Sequence, residues 1–105
     1  MGYPRFRPSY VLLEQNISTL AGTGANVNAA PTSIGTGKSE AAFARLMVTA
    51  QVAAFIRLNG TPASNGASAT GYPLVANTSY IFEGPISSFS FNGATAGTVA
   101  WVGLA

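Results

Sequence analysis

The second half of the chain alternates between short apolar runs and turn residues. Between residues 72 and 91, aromatic and branched residues form runs of a few positions, separated by Gly, Pro, Asn and Ser. Such residues suit a pleated surface, and the residues between the runs end each one, as is typical of antiparallel strands. Tyr80 and Phe82 lie two positions apart, as do Phe89 and Phe91, so each pair is expected on one face of its strand.

The pattern predicts five or six short strands, at 43–49, 52–58, 79–83, 86–92 and 98–103. Turns are expected at Asn59-Gly60, Gly84-Pro85 and Asn92-Gly93. Residues 41–58 also match helical spacing, which leaves a short helix around 39–46 as an alternative. Close spacing of short strands predicts an all-β fold, a small antiparallel β-sandwich or barrel that is jelly-roll-like and has an extended N-terminal arm. The expected core residues are Tyr80, Phe82, Phe89, Phe91, Val99 and Trp101.

The first 40 residues differ in composition from the rest. We expect residues 1–40 to form an extended arm followed by a linker rich in Gly, Ala, Ser and Thr, and residues 41–105 to form the core, although Val11 to Leu20 could supply one strand. Pro4 and Pro8 favour extended backbone in the arm. The arm either packs loosely on its own domain or contacts a neighbouring subunit. Its candidate interaction residues are Tyr3, Arg5, Phe6, Arg7 and Tyr10.

The alternation of side chains between the two faces of a strand also predicts which of them point away from the core. If Leu46, Ile56 and Phe82 point inward, their strand neighbours Met47, Phe55 and Ile81 point outward. Several exposed apolar residues together would form a patch, and such patches mark interfaces. The alternative is a two-sheet sandwich in which both faces of one strand are partly covered. Met47, Phe55 and Ile81 are therefore the candidate interaction residues of the core.

The charge content is low for a protein surface. Charged residues make up 8% of the chain and hydrophobic residues 48%, with a net charge of +2, whereas an average domain has about 25% charged residues. The surface is therefore expected to consist of Ser, Thr, Asn and Gly, or to be covered by another subunit. Five cations are too few for a nucleic-acid interface. No uninterrupted apolar stretch reaches the length of a membrane span, and no signal peptide is evident, so we expect synthesis in the cytoplasm.

The residues that carry catalysis and metal binding are scarce. The chain has no His, Cys or Asp, and its three carboxylates, Glu14, Glu40 and Glu83, lie far apart. Gly35–Ser39 matches the end of a phosphate-binding loop, but Thr32 stands where that motif needs its first Gly. A Ser–Lys pair that uses Lys38 is conceivable. The expectation is a protein that is not an enzyme and that has no cofactor and no metal.

The core also resembles a known class of proteins. The runs that carry the resemblance are Arg57-Leu-Asn-Gly60, Gly71-Tyr-Pro-Leu-x-Ala76, Tyr80-x-Phe-x-Gly-Pro-Ile-Ser-Ser-Phe-Ser-Phe91 and Thr98-Val-Ala-Trp-Val102. Together they resemble small β-sandwich virion proteins of tailed bacteriophages, of the capsid decoration (cement) type. The likeness covers residues 44–103 and consists of turns and alternation. It implies a non-enzymatic homo-oligomer, with a trimer favoured, that is located on the capsid surface and braces the major capsid protein.

Two other functions remain open from the sequence. A tail, neck or head-fibre component of a phage would have the same composition and a different place in the particle. A carbohydrate-binding module would use Tyr72, Tyr80 or Trp101 as stacking platforms.

Overall fold

The computed structural model describes residues 12–23, 26–32, 41–59 and 71–105, and within these residues all regular structure is β-strand. The strands are β1 (Leu12–Leu20), β2 (Val27–Ala29), β3 (Phe43–Ala50), β4 (Ala54–Leu58), β5 (Tyr72–Leu74), β6 (Ser79–Ile86), β7 (Phe89–Asn92) and β8 (Gly97–Leu104). They form two four-stranded sheets. Sheet A has the order β1-β8-β3-β6, and sheet B has the order β2-β7-β4-β5.

The strand pairing is that of one long hairpin rolled into two sheets. β1 pairs with β8, β2 with β7, β3 with β6 and β4 with β5, all antiparallel. Two further pairings, β3 with β8 and β4 with β7, complete the sheets. This arrangement is an eight-stranded jelly roll. The predicted all-β sandwich is therefore confirmed, and two separate sheets take the place of the barrel that the sequence left open.

The core lies between the two sheets and follows the period-two pattern of the strands. In β3, Leu46, Val48 and Ala50 point inward and are fully buried, as Val99 and Trp101 are in β8. Sheet B contributes inward residues such as Ile56 and Phe91. Four of the six expected core residues are buried, and the other two, Tyr80 and Phe82, are half-buried against the same core.

Aromatic rings fill the centre of this core. Phe89 and Trp101 meet nearly edge to face, with ring centroids 4.9 Å apart, and Phe43 lies 5.9 Å from Trp101 and 6.3 Å from Phe89. Such tilted contacts are the favoured geometry for aromatic pairs. The indole N–H of Trp101 donates to the hydroxyl of Ser18 on β1 at 3.2 Å, which satisfies its polar group at the edge of the core.

The structure corrects the expected boundary at residue 40. β1 and β2 belong to the two sheets, and Leu20 is fully buried in the core. The folded core therefore begins at residue 12 rather than at residue 41. Glu14 holds the following segment in place, because its carboxylate accepts hydrogen bonds from the backbone N–H and the hydroxyl of Thr32. Residues 1–11 and 33–40 lie outside the described part of the chain.

Two local predictions are also wrong. Gly84-Pro85 is not a turn, because β6 runs through both residues to Ile86, and the chain reverses at Ser87 and Ser88 instead. The alternative helix at 39–46 is excluded from Phe43 onward, where β3 begins. Pro85 is tolerated because β6 is an edge strand and its pairing with β3 is irregular at this point. Phe43 lies opposite Ile86 and Arg45 opposite Glu83, with a register shift between them.

Candidate interaction surface

The outer face of sheet A presents apolar side chains from all four of its strands. In β3 and β8 the residues between the buried positions point away from the core, and the same alternation governs β1 and β6. We call the apolar part of this surface the sheet A face. It consists of Ile17, Met47, Ile81, Ala100 and Val102.

The strand register brings these five residues together. Met47 lies directly opposite Ile81 on one side and Val102 on the other, and Ile17 lies opposite Ala100 in the adjacent row. Directly opposed side chains on one face of a sheet have Cβ atoms roughly 5 Å apart. The sheet A face is therefore one continuous apolar surface rather than a set of scattered residues.

The two largest exposed side chains of this face are isoleucines. Ile17 is 62% exposed on β1 and Ile81 is 57% exposed on β6. Between them, Met47 and Val102 are half-buried and Ala100 is exposed. A shallow open depression of about 430 Å³ runs along the β1 and β8 side of the face, lined by Gln15, Asn16, Ile17, Ala100, Trp101 and Val102. The face therefore offers both projecting aliphatic side chains and a concave region.

Polar residues, most of them neutral, border the sheet A face. The hydroxyls of Thr49 and Ser79 are 2.7 Å apart, and the hydroxyl of Thr98 donates to the side-chain carbonyl of Gln51 at 2.9 Å. The ion pair at one end of the face joins Arg45 Nε to Glu83 Oε2 at 3.7 Å. An apolar centre with a polar rim is the arrangement found in protein interfaces.

The structure brings together only part of the predicted site. Met47 and Ile81 are neighbours across two strands, as an outward patch requires. Phe55 also alternates with buried residues, but it lies in β4 of sheet B and pairs with Asn92 and Pro73, so it points to the opposite side of the sandwich. The five arm residues, Tyr3, Arg5, Phe6, Arg7 and Tyr10, lie outside the described residues.

Sequence reasoning missed three members of the face. Ile17 falls in the stretch expected to be arm and linker, with a strand at Val11–Leu20 as a possibility. Its strand neighbours Asn16 and Ser18 are polar, so the alternation there gives no signal that Ile17 points outward. Ala100 and Val102 alternate with the core residues Val99 and Trp101 and follow from the same rule.

A second surface feature lies where the edges of the two sheets meet. Tyr72 of β5 has its ring centroid 5.8 Å from that of Tyr80 and 5.7 Å from that of Phe82, both in β6. We call these three residues the aromatic edge. Tyr72 is 54% exposed, whereas Trp101 is only 4% exposed. Trp101 is thereby removed as a stacking platform, because its ring is enclosed in the core.

The described residues hold no group of three or more His, Cys, Asp or Glu side chains that could bind a metal ion. They also contain no helix long and apolar enough to cross a bilayer. The Gly35–Ser39 segment and Lys38 lie outside them. Comparisons of the chain with protein-family models, curated proteins and solved structures give no match.

Proposed function

We propose that the chain is a structural protein of a virion that decorates the capsid of a tailed phage. In this proposal it binds the major capsid protein and further copies of itself, with a trimer favoured, and catalyses no reaction. The observation that carries the proposal is the sheet A face, a continuous apolar surface with a neutral polar rim. Surfaces of this kind serve as interaction sites in soluble proteins.

The charge distribution supports an adhesive role. Only 8% of the residues are charged. Of the described charges in sheet A, Arg45 and Glu83 form a pair at one end of the face, and the Glu14 carboxylate is bound to Thr32. Few charges would have to lose water when the face is covered, and removing charges from water is costly. Desolvation of charges would therefore oppose a permanent association through this face only weakly.

Repetition would strengthen contacts that are individually weak. A capsid presents many identical sites, and an oligomer that engages two or more of them binds with a raised effective concentration. The jelly roll and the resemblance to decoration proteins agree with this role. Jelly rolls form viral capsid domains, but lectin domains and cupins use them as well, so the fold alone decides nothing.

The experiment that tests the proposal compares two lysine substitutions. Ile81→Lys places a charge on the sheet A face, and Val75→Lys places the same charge at a residue outside the face with a similar exposed fraction, 62%. Each variant is mixed with capsid shells of the parent virus that lack the decoration layer, and binding is measured by co-sedimentation. Light scattering gives the oligomeric state.

Ile81→Lys is expected to weaken binding to shells or self-association by at least about tenfold, because a buried unpaired charge is strongly unfavourable. Val75→Lys should bind as the unmodified protein does. A stable monomer that ignores the shells would exclude the proposal. If the protein is instead in the tail, neck or head fibre, labelling it in intact particles and imaging them would show the label there.

A further inference from the structure

The aromatic edge lies outside the sheet A face. β5 is an edge strand of sheet B and β6 is an edge strand of sheet A, so Tyr72 reaches Tyr80 and Phe82 across the rim between the two sheets. Phe82 and Tyr80 partly fill the rim, since both are half-buried and pack against the core. Their position explains how the sandwich is closed on this side.

Closing the rim does not explain why Tyr72 is so exposed. A residue that only sealed the core would be expected to lose most of its accessible surface, yet more than half of the accessible surface of Tyr72 remains exposed. It stands on two other aromatic rings, to which its plane is nearly perpendicular, at 76° and 81°. Tyr72 therefore presents an accessible aromatic surface on a supported base.

The supporting rings also restrict the motion of this surface. Tyr80 and Phe82 are nearly parallel, with 16° between their planes, and both extend from one strand. A ring fixed by two neighbours loses little conformational entropy when a ligand stacks on it. The aromatic edge is in this sense organised before any ligand arrives.

Neutral hydrogen-bonding groups accompany the rings. The hydroxyl of Tyr80 accepts a hydrogen bond from the backbone N–H of Val75 at 2.8 Å, so its own proton can still be donated. Asn77 and Thr78 are exposed polar residues between β5 and β6, and the stretch from Tyr72 to Phe82 contains no charged residue. A flat aromatic surface beside neutral donors and acceptors suits a ligand that is apolar on one face and rich in hydroxyls at its rim.

We propose that the aromatic edge binds a pyranose sugar, with Tyr72 as the stacking platform. The face of an aromatic ring is negative, so it attracts the polarised C–H groups on one side of a pyranose. The hydroxyls of the sugar match the neutral amide and hydroxyl groups of the 72–82 stretch. The inference goes beyond the proposed virion role, since it concerns another surface and another ligand.

A proline-rich peptide is the main competing ligand. Such peptides dock in grooves between aromatic side chains. The near-parallel rings of Tyr80 and Phe82 are 6.3 Å apart at their centroids, and Tyr72 lies within 5.8 Å of both. These distances leave no gap between the rings wide enough for a proline ring in van der Waals contact on both sides. The geometry thus favours a single sugar ring over an extended peptide.

The test is an array that carries defined glycans together with a set of proline-rich peptides. The unmodified chain, Tyr72→Ala, Tyr72→Phe and Leu12→Ala are applied to it, and affinities for methyl glycosides of the bound sugars are measured by NMR titration; Leu12, on β1 at the far edge of sheet A, is 52% exposed. Tyr72→Ala should lose at least about tenfold in affinity, and Tyr72→Phe, which keeps the ring, less than about fivefold. Leu12→Ala should bind as the unmodified chain does.

Three outcomes would overturn the inference: no glycan bound by the unmodified chain, equal glycan binding by Tyr72→Ala, or binding to the peptides alone. If Tyr72→Ala proves unfolded in a thermal scan, the unmodified chain supplies the test. The NMR chemical shifts of the Tyr72 and Tyr80 ring protons must change when the methyl glycoside is added, and unchanged shifts would overturn the inference. Co-sedimentation of folded Tyr72→Ala with capsid shells should be unchanged. Failure of the sugar site is thereby separable from failure of the virion role.

Discussion

Gly103 lies against the ring of Phe43 inside the sandwich. A Cβ atom built on Gly103 would overlap the Cζ, Cε1 and Cε2 atoms of that ring. Because Phe43 also contacts Trp101 and Phe89, it has little freedom to move aside. The absence of a side chain at position 103 is thus a condition for the aromatic packing of the core.

Replacing this glycine should destabilise the fold. Gly103→Ala is expected to lower the free energy of unfolding by about 1–3 kcal/mol, the usual cost of overpacking a core. Urea denaturation measures the change. Phe43→Leu should lower the free energy of unfolding by less in the Gly103→Ala variant than in the unmodified protein, because the smaller side chain makes room for the methyl group. Strict additivity of the two substitutions would contradict the explanation.

A second stability prediction concerns the link between β4 and the β6–β7 reversal. The side-chain carbonyl of Asn59 accepts hydrogen bonds from the N–H of Ser87 at 2.7 Å and from its hydroxyl at 3.0 Å, while the amide Nδ2 donates to the Pro85 carbonyl at 2.9 Å. Asn59→Gly keeps the backbone freedom that a φ of 52° requires but loses these bonds. We expect a loss of about 1–2 kcal/mol in thermal unfolding.

Asn77→Gly is the matched control for that substitution. Asn77 has a similar φ of 60°, and the hydrogen bond that holds it, from its N–H to the Ala50 carbonyl, is made by the backbone. The expected change is below about 0.5 kcal/mol. Equal losses for Asn59→Gly and Asn77→Gly would mean that the side-chain bonds of Asn59 contribute nothing.

The ion pair of sheet A should contribute little. Arg45 and Glu83 are separated by 3.7 Å, and the Glu83 side chain is 74% exposed. Exposed pairs of this kind are typically worth less than about 1 kcal/mol. Glu83→Gln is therefore expected to leave the midpoint of thermal unfolding almost unchanged at moderate salt. A large decrease would show that Glu83 takes part in a stronger network.

Binding through the sheet A face should depend weakly on salt. The face is apolar, and the charges at its end, Arg45 and Glu83, form a pair with no net charge, so ionic screening has little to act on. A roughly tenfold rise in salt concentration is expected to change the affinity for capsid shells by less than about threefold. Titration by co-sedimentation at two salt concentrations measures this. A steep loss of affinity with rising salt would show that the interface consists of charged residues outside the sheet A face.

The core was predictable because its residues follow period two. Leu46, Val48 and Ile56 are buried as the alternation predicted, and Ile81 is exposed between the inward residues Tyr80 and Phe82. The same rule could not assign a strand to a sheet. Met47 and Phe55 alternate in the same way, yet they lie on opposite outer faces because β3 belongs to sheet A and β4 to sheet B.

Short elements and mixed signals account for the errors. β2 and β5 have three residues each, too few to show an alternation in the sequence. Gly84 and Pro85 have the composition of a turn, but an edge strand accepts both residues. The aromatic edge depends on two strands of different sheets meeting at the rim, a tertiary relationship that spacing along the chain does not contain.

The pairing of β1 with β8 has a consequence for synthesis on the ribosome. Leu12 lies opposite Leu104, so the first described strand can pair with its neighbour only after β8 has been made. Until then, Leu20 and the aliphatic side chains of β3 have no complete core to enter. Assembly of sheet A is therefore expected to wait until β8 has emerged from the ribosomal tunnel, and to proceed at the slow rates of folds with distant contacts.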